Sequence, residues 1–185
     1  MAAVSDKAIV LAVERFFKRP EIYGNLAFLN NRLPGSADIV VAGGAIRNVI
    51  IDVVHGDAPP TRDVDLFIGG LDPGFCLSDT FEDQAVEPVA LKGLRWYPVS
   101  SGLAYDLCLL PDFLVIDTCH LEPTMDNLLN GIDFTVNAIL YDYRRNTLIE
   151  KGCTAAVTDR MIDLNSSFIP DKRLIAYLAR QNRRS

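Results

Sequence analysis

Hydrophobic spacing along the chain alternates between helical and strand-like periods. From Ser5 to Lys18, Ile9, Ala12, Val13, Phe16 and Phe17 fall at i, i+3, i+4, i+7 and i+8, which lines one face of a helix, with Ser5 as its N-cap. Arg19-Pro20 is expected to end it, because the residue before a proline is pushed out of the helical region. Residues 37–42 (ADIVVA) form a short β-branched run, then Gly43-Gly44, then AIRNVIIDVV with Ile46, Val49, Ile50 and Val53 on one helical face. This predicts a strand, a glycine turn and a helix. After a Gly-Pro loop, residues 63–68 (DVDLFI) alternate acid with apolar side chains as a half-buried strand does.

The turn-rich stretch 69–93 predicts at most a short helix over 79–85. Residues 95–99, 104–110 and 113–119 read as three strands of an antiparallel meander, the last two joined at Pro111-Asp112. Residues 125–130 suggest a helical turn, 135–143 and 147–150 a hairpin, the stretch after Gly152 a helix, and 172–181 a final helix. No repeat or low-complexity segment interrupts the chain. Strands broken by helices without strict alternation predict an α+β fold, a mixed sheet with helices packed mainly on one face.

At 185 residues, with 49% hydrophobic and 23% charged residues, the chain fits one folded domain with at most a short appendage. No apolar run approaches the ~20 residues of a membrane span, and the start MAAVSDKAIV lacks a basic, then apolar, leader pattern, so a cytoplasmic protein with no membrane association is expected. Cys76, Cys108, Cys119 and Cys153 contain no CxxC pair and read as small buried thiols rather than a zinc knuckle or disulfide frame. The net charge of −6 has the wrong sign for a protein holding nucleic acid chiefly by phosphate neutralisation. That average hides Lys172, Arg173, Arg180, Arg183 and Arg184, a cluster with no acid, against an otherwise acidic chain. Such an end suits an RNA or an acidic protein partner, and suits equally a solvated helix terminus.

Two features carry chemistry. Asp63 and Asp65 are i and i+2 on a strand, so both carboxylates point to one face; like charges that close are relieved by a divalent cation, and Mg²⁺ prefers carboxylate and phosphate oxygen. Gly43-Gly44, between strand and helix, lets backbone approach a ligand and aims helix-start N–H groups at an anion, with Arg47 one turn further in. Neither the GxGxxG nor the GxxxxGK[ST] pattern is present, so a dinucleotide fold and a P-loop are not supported.

Together, VVAGGAIRNVIIDVVHGDAPPTRDVDLFI resembles the GG…R…DxD signature of the DNA polymerase β superfamily, in particular the catalytic head of class II tRNA nucleotidyltransferases and bacterial poly(A) polymerases. The run Asp133-Phe134-Thr135-Val136-Asn137-Ala138-Ile139-Leu140-Tyr141-Asp142 is similar to that family's DFTxNAxxYD stretch. The resemblance spans residues 37–175 and implies a polymerase-β-like fold, with 1–170 as the head, 1–36 its helical N-terminal segment, and 171–185 a basic helix like the start of the family's neck.

It further implies a third metal-binding carboxylate. Asp117 in FLVIDTCH, sixteen residues before the DFT motif, is preferred, and Asp106 in AYDLCLL is its competitor. The implied reaction is metal-dependent transfer of an NMP from an NTP, ATP foremost, to an acceptor hydroxyl such as an RNA 3′ end, with release of pyrophosphate. Asp63, Asp65 and Asp117 are the catalytic and metal-binding (Mg²⁺) candidates; Gly43, Gly44, Arg47, Asp133 and Asn137 are the nucleotide-binding ones, the last two toward the ribose. The family's paired arginines before DFT are replaced by Gly131-Ile132, for which Arg62, Lys92, Arg144 or Arg145 could substitute, and no EDxxR base-selecting motif occurs. The rival expectation is a catalytically silent nucleotide-binding or regulatory module of the same fold. Transfer is expected to need a partner or a docked acceptor near the basic helix 172–184.

Overall fold

The computed structural model describes residues 6–89, 92–99 and 102–165; the basic segment 172–184 lies outside them. Helix α1 (Asp6–Phe17) buries Ile9, Val13, Phe16 and Phe17, the predicted stripe. A second helix, α2 (Pro20–Arg32), follows at once. Pro20 occupies its first turn, where the fixed φ suits a helix and the missing N–H has no partner to lose, so the residue that ends α1 also starts α2.

Strand β1 (Asp38–Ala42), helix α3 (Gly44–His55) and strand β2 (Asp63–Gly69) form where expected. The region after β2 holds a short 3-10 turn at Leu77–Phe81 and then β3 (Val86–Val89) in place of a helix over 79–85. Pro88 is tolerated in β3 because this strand is at the sheet edge. Strand β4 (Gly93–Trp96) begins two residues before the predicted stretch, and β5 (Ala104–Leu109) follows. A meander therefore exists, but it is β3-β4-β5.

The predicted third strand, 113–119, is instead helix α4 (Leu114–Cys119). A short apolar run suits a buried helix as well as a buried strand. Here Pro111, in a 3-10 turn at Leu110–Asp112, takes the chain off the sheet, Val115 packs beside Gly131 at the end of α5 (Met125–Gly131), and Ile116 joins the cluster of Leu128 and Leu129. A 3-10 turn at Thr135–Asn137 precedes β6 (Ile139–Asp142), which pairs with β7 (Thr147–Glu150) as the predicted hairpin; α6 (Cys153–Thr158) follows.

The seven strands make one mixed sheet in the order β3-β4-β5-β2-β1-β6-β7, with β2 and β5 parallel and every other pair antiparallel. Its larger core lies between α1, α2, α3 and α6 and one sheet face, which contributes Ile39, Val41, Val64, Leu66, Tyr105, Leu107 and Ile139. Helices thus pack mainly on one face. On the other face α4 and α5 cover a smaller cluster, Val40, Ala42 and Leu140 against Ile116, Leu128 and Leu129, with Phe67 edge-on to Phe113 at 5.3 Å. Along β2, the residues of this face beyond Phe67 are Asp65 and Asp63.

Trp96 anchors the meander. It is 2% exposed and stacks on Phe28 of α2 at 5.1 Å, with Phe81 and Tyr105 rings each 5.4 Å away. Burial of such a ring is worth several kcal/mol, ~3–5 on truncation to alanine. With Trp96 turned into the core, strand alternation sends Arg95 to the opposite face, where Asp63 and Asp65 stand. Of the cysteines only Cys153 is buried; Cys76 is exposed and Cys108 and Cys119 are half-buried, and all are free thiols.

Candidate active site

The site forms where β1, β2, β4 and β5 meet on the less covered face. Parallel pairing sets Asp65 of β2 directly beside Asp106 of β5. Antiparallel pairing sets Arg95 of β4 beside Asp106. Paired residues on adjacent strands point to the same face, so one row runs Arg95, Asp106, Asp65, with Asp63 two residues along β2.

Arg95 grips Asp106 with a two-pronged ion pair: Nε donates to Oδ1 and Nη2 to Oδ2, each at 2.6 Å. Asp65 has a different environment. Burial, then the charges of Asp63 and Asp106, push its pKa up to about 7, against the partial relief of Arg95 and Arg47. A carboxylate crowded by two others and removed from water is a group that gains from a cation.

The glycine turn lies against this carboxylate. Gly43 has φ +67° and ψ −125°, a conformation that L side chains rarely adopt, and a Cβ placed on it would lie 3.6 Å from Asp65 Oδ2. Its N–H donates to the Ile139 carbonyl at 3.2 Å and its own carbonyl accepts from the Arg47 N–H at 3.0 Å, so both β6 and α3 hold the turn. Gly44 opens α3, and a Cβ there would stand 3.7 Å from Arg47 Nη2. The Arg47 side chain donates from Nη1 to Asn137 Oδ1 at 2.6 Å, and from Nε and Nη2 to Asn48 Oδ1 at 3.2 and 3.0 Å. Burial lowers its pKa, while the carboxylates of Asp65 and Asp63 oppose the shift.

The structure therefore brings Gly43, Gly44, Arg47, Asp63, Asp65 and Asn137 together. Asp133 is half-buried just before the Thr135–Asn137 turn; burial raises its pKa, and its carbonyl accepts the Asn165 N–H at 2.9 Å. Asp117 is not brought to the row. It lies on α4 with a side chain 48% exposed, and its Oδ2 accepts from Lys92 Nζ at 3.0 Å. The preference for Asp117 over Asp106 requires a strand where the chain forms a helix, so the carboxylate beside Asp65 is Asp106. The sequence signal for it is the alternation Tyr105, Asp106, Leu107, in which both neighbours of the acid are buried, as Val64 and Leu66 are around Asp65.

Of the cations considered as substitutes for the missing arginines, Arg144 bonds Asn30 and Ala37, Arg145 bonds Asp142, and Lys92 bonds Asp117. Arg62, exposed next to Asp63, forms no ion pair among the described residues. Arg95, which lies in none of the sequence motifs, is the cation that pairs directly with a carboxylate of the row.

The donor set suits a hard divalent cation: Asp63, Asp65 and Asp106 offer only carboxylate oxygen from adjoining positions on one face. Among the described residues no three acid, histidine or cysteine side chains converge into a finished cage, and Asp106 is turned to Arg95. A cleft of about 630 Å³ lies elsewhere, lined by Phe16 of α1, Asn48 and Asp52 of α3, and the 58–61 loop. None of the three carboxylates borders it, so its size does not make it the reaction site.

No family model matches the chain, and no curated protein matches it either. Solved structures do. A CCA-adding enzyme in complex with CTP superposes with TM-score 0.57 at 16% identity, over 84% of this chain and 36% of that one. The Thermotoga maritima CCA-adding enzyme complexed with tRNA gives 0.57 at 16%, over 84% and 35%. The Bacillus stearothermophilus enzyme in complex with CTP gives 0.53 at 21%, over 79% and 34%. The fold is thus that of the polymerase-β-like nucleotidyltransferases, as the motifs implied, and the chain spans about a third of the length of these enzymes. Among the described residues no helix is long and apolar enough to cross a membrane.

Proposed function

We propose that the chain is the catalytic portion of a metal-dependent nucleotidyltransferase that moves a nucleoside monophosphate from an NTP to an acceptor hydroxyl. The observation that carries this reading is the register of Asp65 with Asp106, on the same face as Asp63 and under the Gly43 turn. A phosphate-binding turn and a carboxylate row in contact are what a bound Mg·triphosphate needs.

In this reading Asp63, Asp65 and Asp106 hold the cation, which when bound neutralises the row and the triphosphate and supplies Lewis-acid activation of the acceptor. The turn at Gly43-Gly44 and the first N–H groups of α3 receive the phosphates, and Arg47, steered by Asn137 and Asn48, adds charge beside them. Asp133 and Asn137 approach the ribose. The acceptor oxygen bonds to the α-phosphorus, the bond to the β-phosphate oxygen breaks, pyrophosphate leaves, and the hydroxyl proton passes to solvent. These groups stabilise charge developed in the transition state without a covalent intermediate.

The tRNA-bound likeness makes an RNA 3′ hydroxyl the first acceptor to test. The experiment is pyrophosphate release from each NTP with Mg²⁺, with and without RNA bearing a free 3′ end. Release that needs Mg²⁺ and is lost in Asp106→Asn supports the reading. Nucleotide binding with no release under any acceptor condition instead supports the silent module.

A further inference from the structure

The site described above contains one cation that the nucleotidyltransferase chemistry has not used. Arg95 has two acidic neighbours in register, Glu87 on β3 and Asp106 on β5. Glu87 is engaged by Tyr97, whose Oη donates to Oε1 at 2.5 Å. The guanidinium gives both of its prongs to Asp106, with side-chain exposures of 34% for Arg95 and 22% for Asp106, so the pair is partly withdrawn from water. Its planar fork matches a carboxylate, and it matches a phosphate equally well. Trp96, locked in the aromatic core, fixes the strand so that Arg95 can reach only this face.

Arg95 takes one acceptor site on each Asp106 oxygen, so a divalent cation bound there would share the carboxylate with the guanidinium and meet its positive charge. We propose that Arg95 is a positioning residue that acts as a stand-in counter-ion. It neutralises Asp106 while the carboxylate row lacks its cation, and exchanges Asp106 for the phosphates of the incoming nucleotide when Asp106 turns to the metal. The proposal rests on the nucleotidyltransferase reading. It makes two predictions of opposite sign: Arg95 opposes metal binding to the free protein and favours nucleotide binding to the metal-loaded one. A merely structural tie moves both in the same direction.

The test is Mn²⁺ binding, followed by loss of the free-ion electron-spin signal, to the full chain without nucleotide, and calorimetric binding of ATP and CTP at saturating Mn²⁺. Removing one adjacent positive charge from a partly buried carboxylate should tighten Mn²⁺ binding about five- to tenfold in Arg95→Ala and weaken nucleotide binding about tenfold. Arg95→Lys should fall between wild type and alanine in both measurements, and it serves as the readout if the alanine variant does not fold. In an Asp106→Asn background Arg95→Ala should no longer tighten Mn²⁺. Should the wild type bind Mn²⁺ with nucleotide while Arg95→Ala leaves Mn²⁺ affinity equal or weaker, the proposal is wrong and the nucleotidyltransferase reading stands. Should Asp65→Asn bind Mn²⁺ as wild type does, or neither bind it, both fall.

Discussion

Replacing Asp65 by asparagine should stabilise the protein at alkaline pH although it destroys a functional group. Burial and the charges of Asp63 and Asp106 raise the folded-state pKa of Asp65 from 3.8 to about 7. Between those values the folded chain holds a proton that the unfolded chain has released. Stability therefore falls as pH rises from about 4 to about 7, and the penalty is fully present above that window. At about 1.4 kcal/mol per pH unit the gap sets a ceiling of about 4 kcal/mol; partial solvent access and local relaxation reduce the expected effect to about 2 kcal/mol. Asparagine carries no charge and escapes the penalty. For a chain this size the gain corresponds to a rise of about 4–8 °C in Tm. Thermal melts of wild type and Asp65→Asn from pH 3.5 to 8.5, in chelator, should lie closest at the acid end, diverge between about pH 4 and about 7, and keep a constant gap above that. Mg²⁺ added at pH 8 should close the gap by raising the wild type alone. Parallel pH curves, or an asparagine variant less stable than wild type at pH 8, would show that the carboxylate row is not under charge strain.

Asp106→Asn should weaken Mg·NTP binding at least about tenfold, whereas Asp117→Asn, which removes one of the two carboxylates beside Lys92 at the surface and leaves Asp112, should change it less than about twofold by calorimetry. Asn137→Ala releases Arg47 from its 2.6 Å partner and should cost about 1–2 kcal/mol of NTP affinity while narrowing any preference for ATP over dATP. Gly43→Ala places a Cβ at φ +67° in van der Waals contact with Asp65, and should lower Tm by an amount equivalent to about 1–2 kcal/mol and reduce nucleotide binding more than stability.

Local chemistry explains what was legible in the sequence. The run from β1 through Gly43-Gly44 and α3 to β2 was readable because periodicity, glycine placement and the acid pair all fall within thirty-two residues of continuous chain, 38–69. Within the helical segment expected over 1–36, the start of a second helix at Pro20 was hidden because that proline stops one helix and starts another, a distinction that depends on the packing of Ile22, Leu26 and Leu29. β3 was hidden because Pro88 disfavours a strand unless the strand lies at an edge, which is a property of the sheet. The neighbour of Asp65 in the sheet was not legible for a related reason. Residues 104–109 and 113–119 are both apolar runs with one acid, and only the pairing of β5 with β2 shows which run stays in the sheet. Arg95 belongs to no motif; its role follows from register alone.

Whether Asp63 and Asp65 hold a cation for a nucleotide seated at the Gly43 turn is decided by calorimetric titration of ATP and CTP into wild type and the Asp63→Asn/Asp65→Asn double variant, each with and without Mg²⁺. The wild type should bind nucleotide only with Mg²⁺, and that binding should be lost in a double variant whose Tm is equal to or above wild type. Undiminished Mg·NTP affinity in a folded double variant would contradict that role for the two carboxylates.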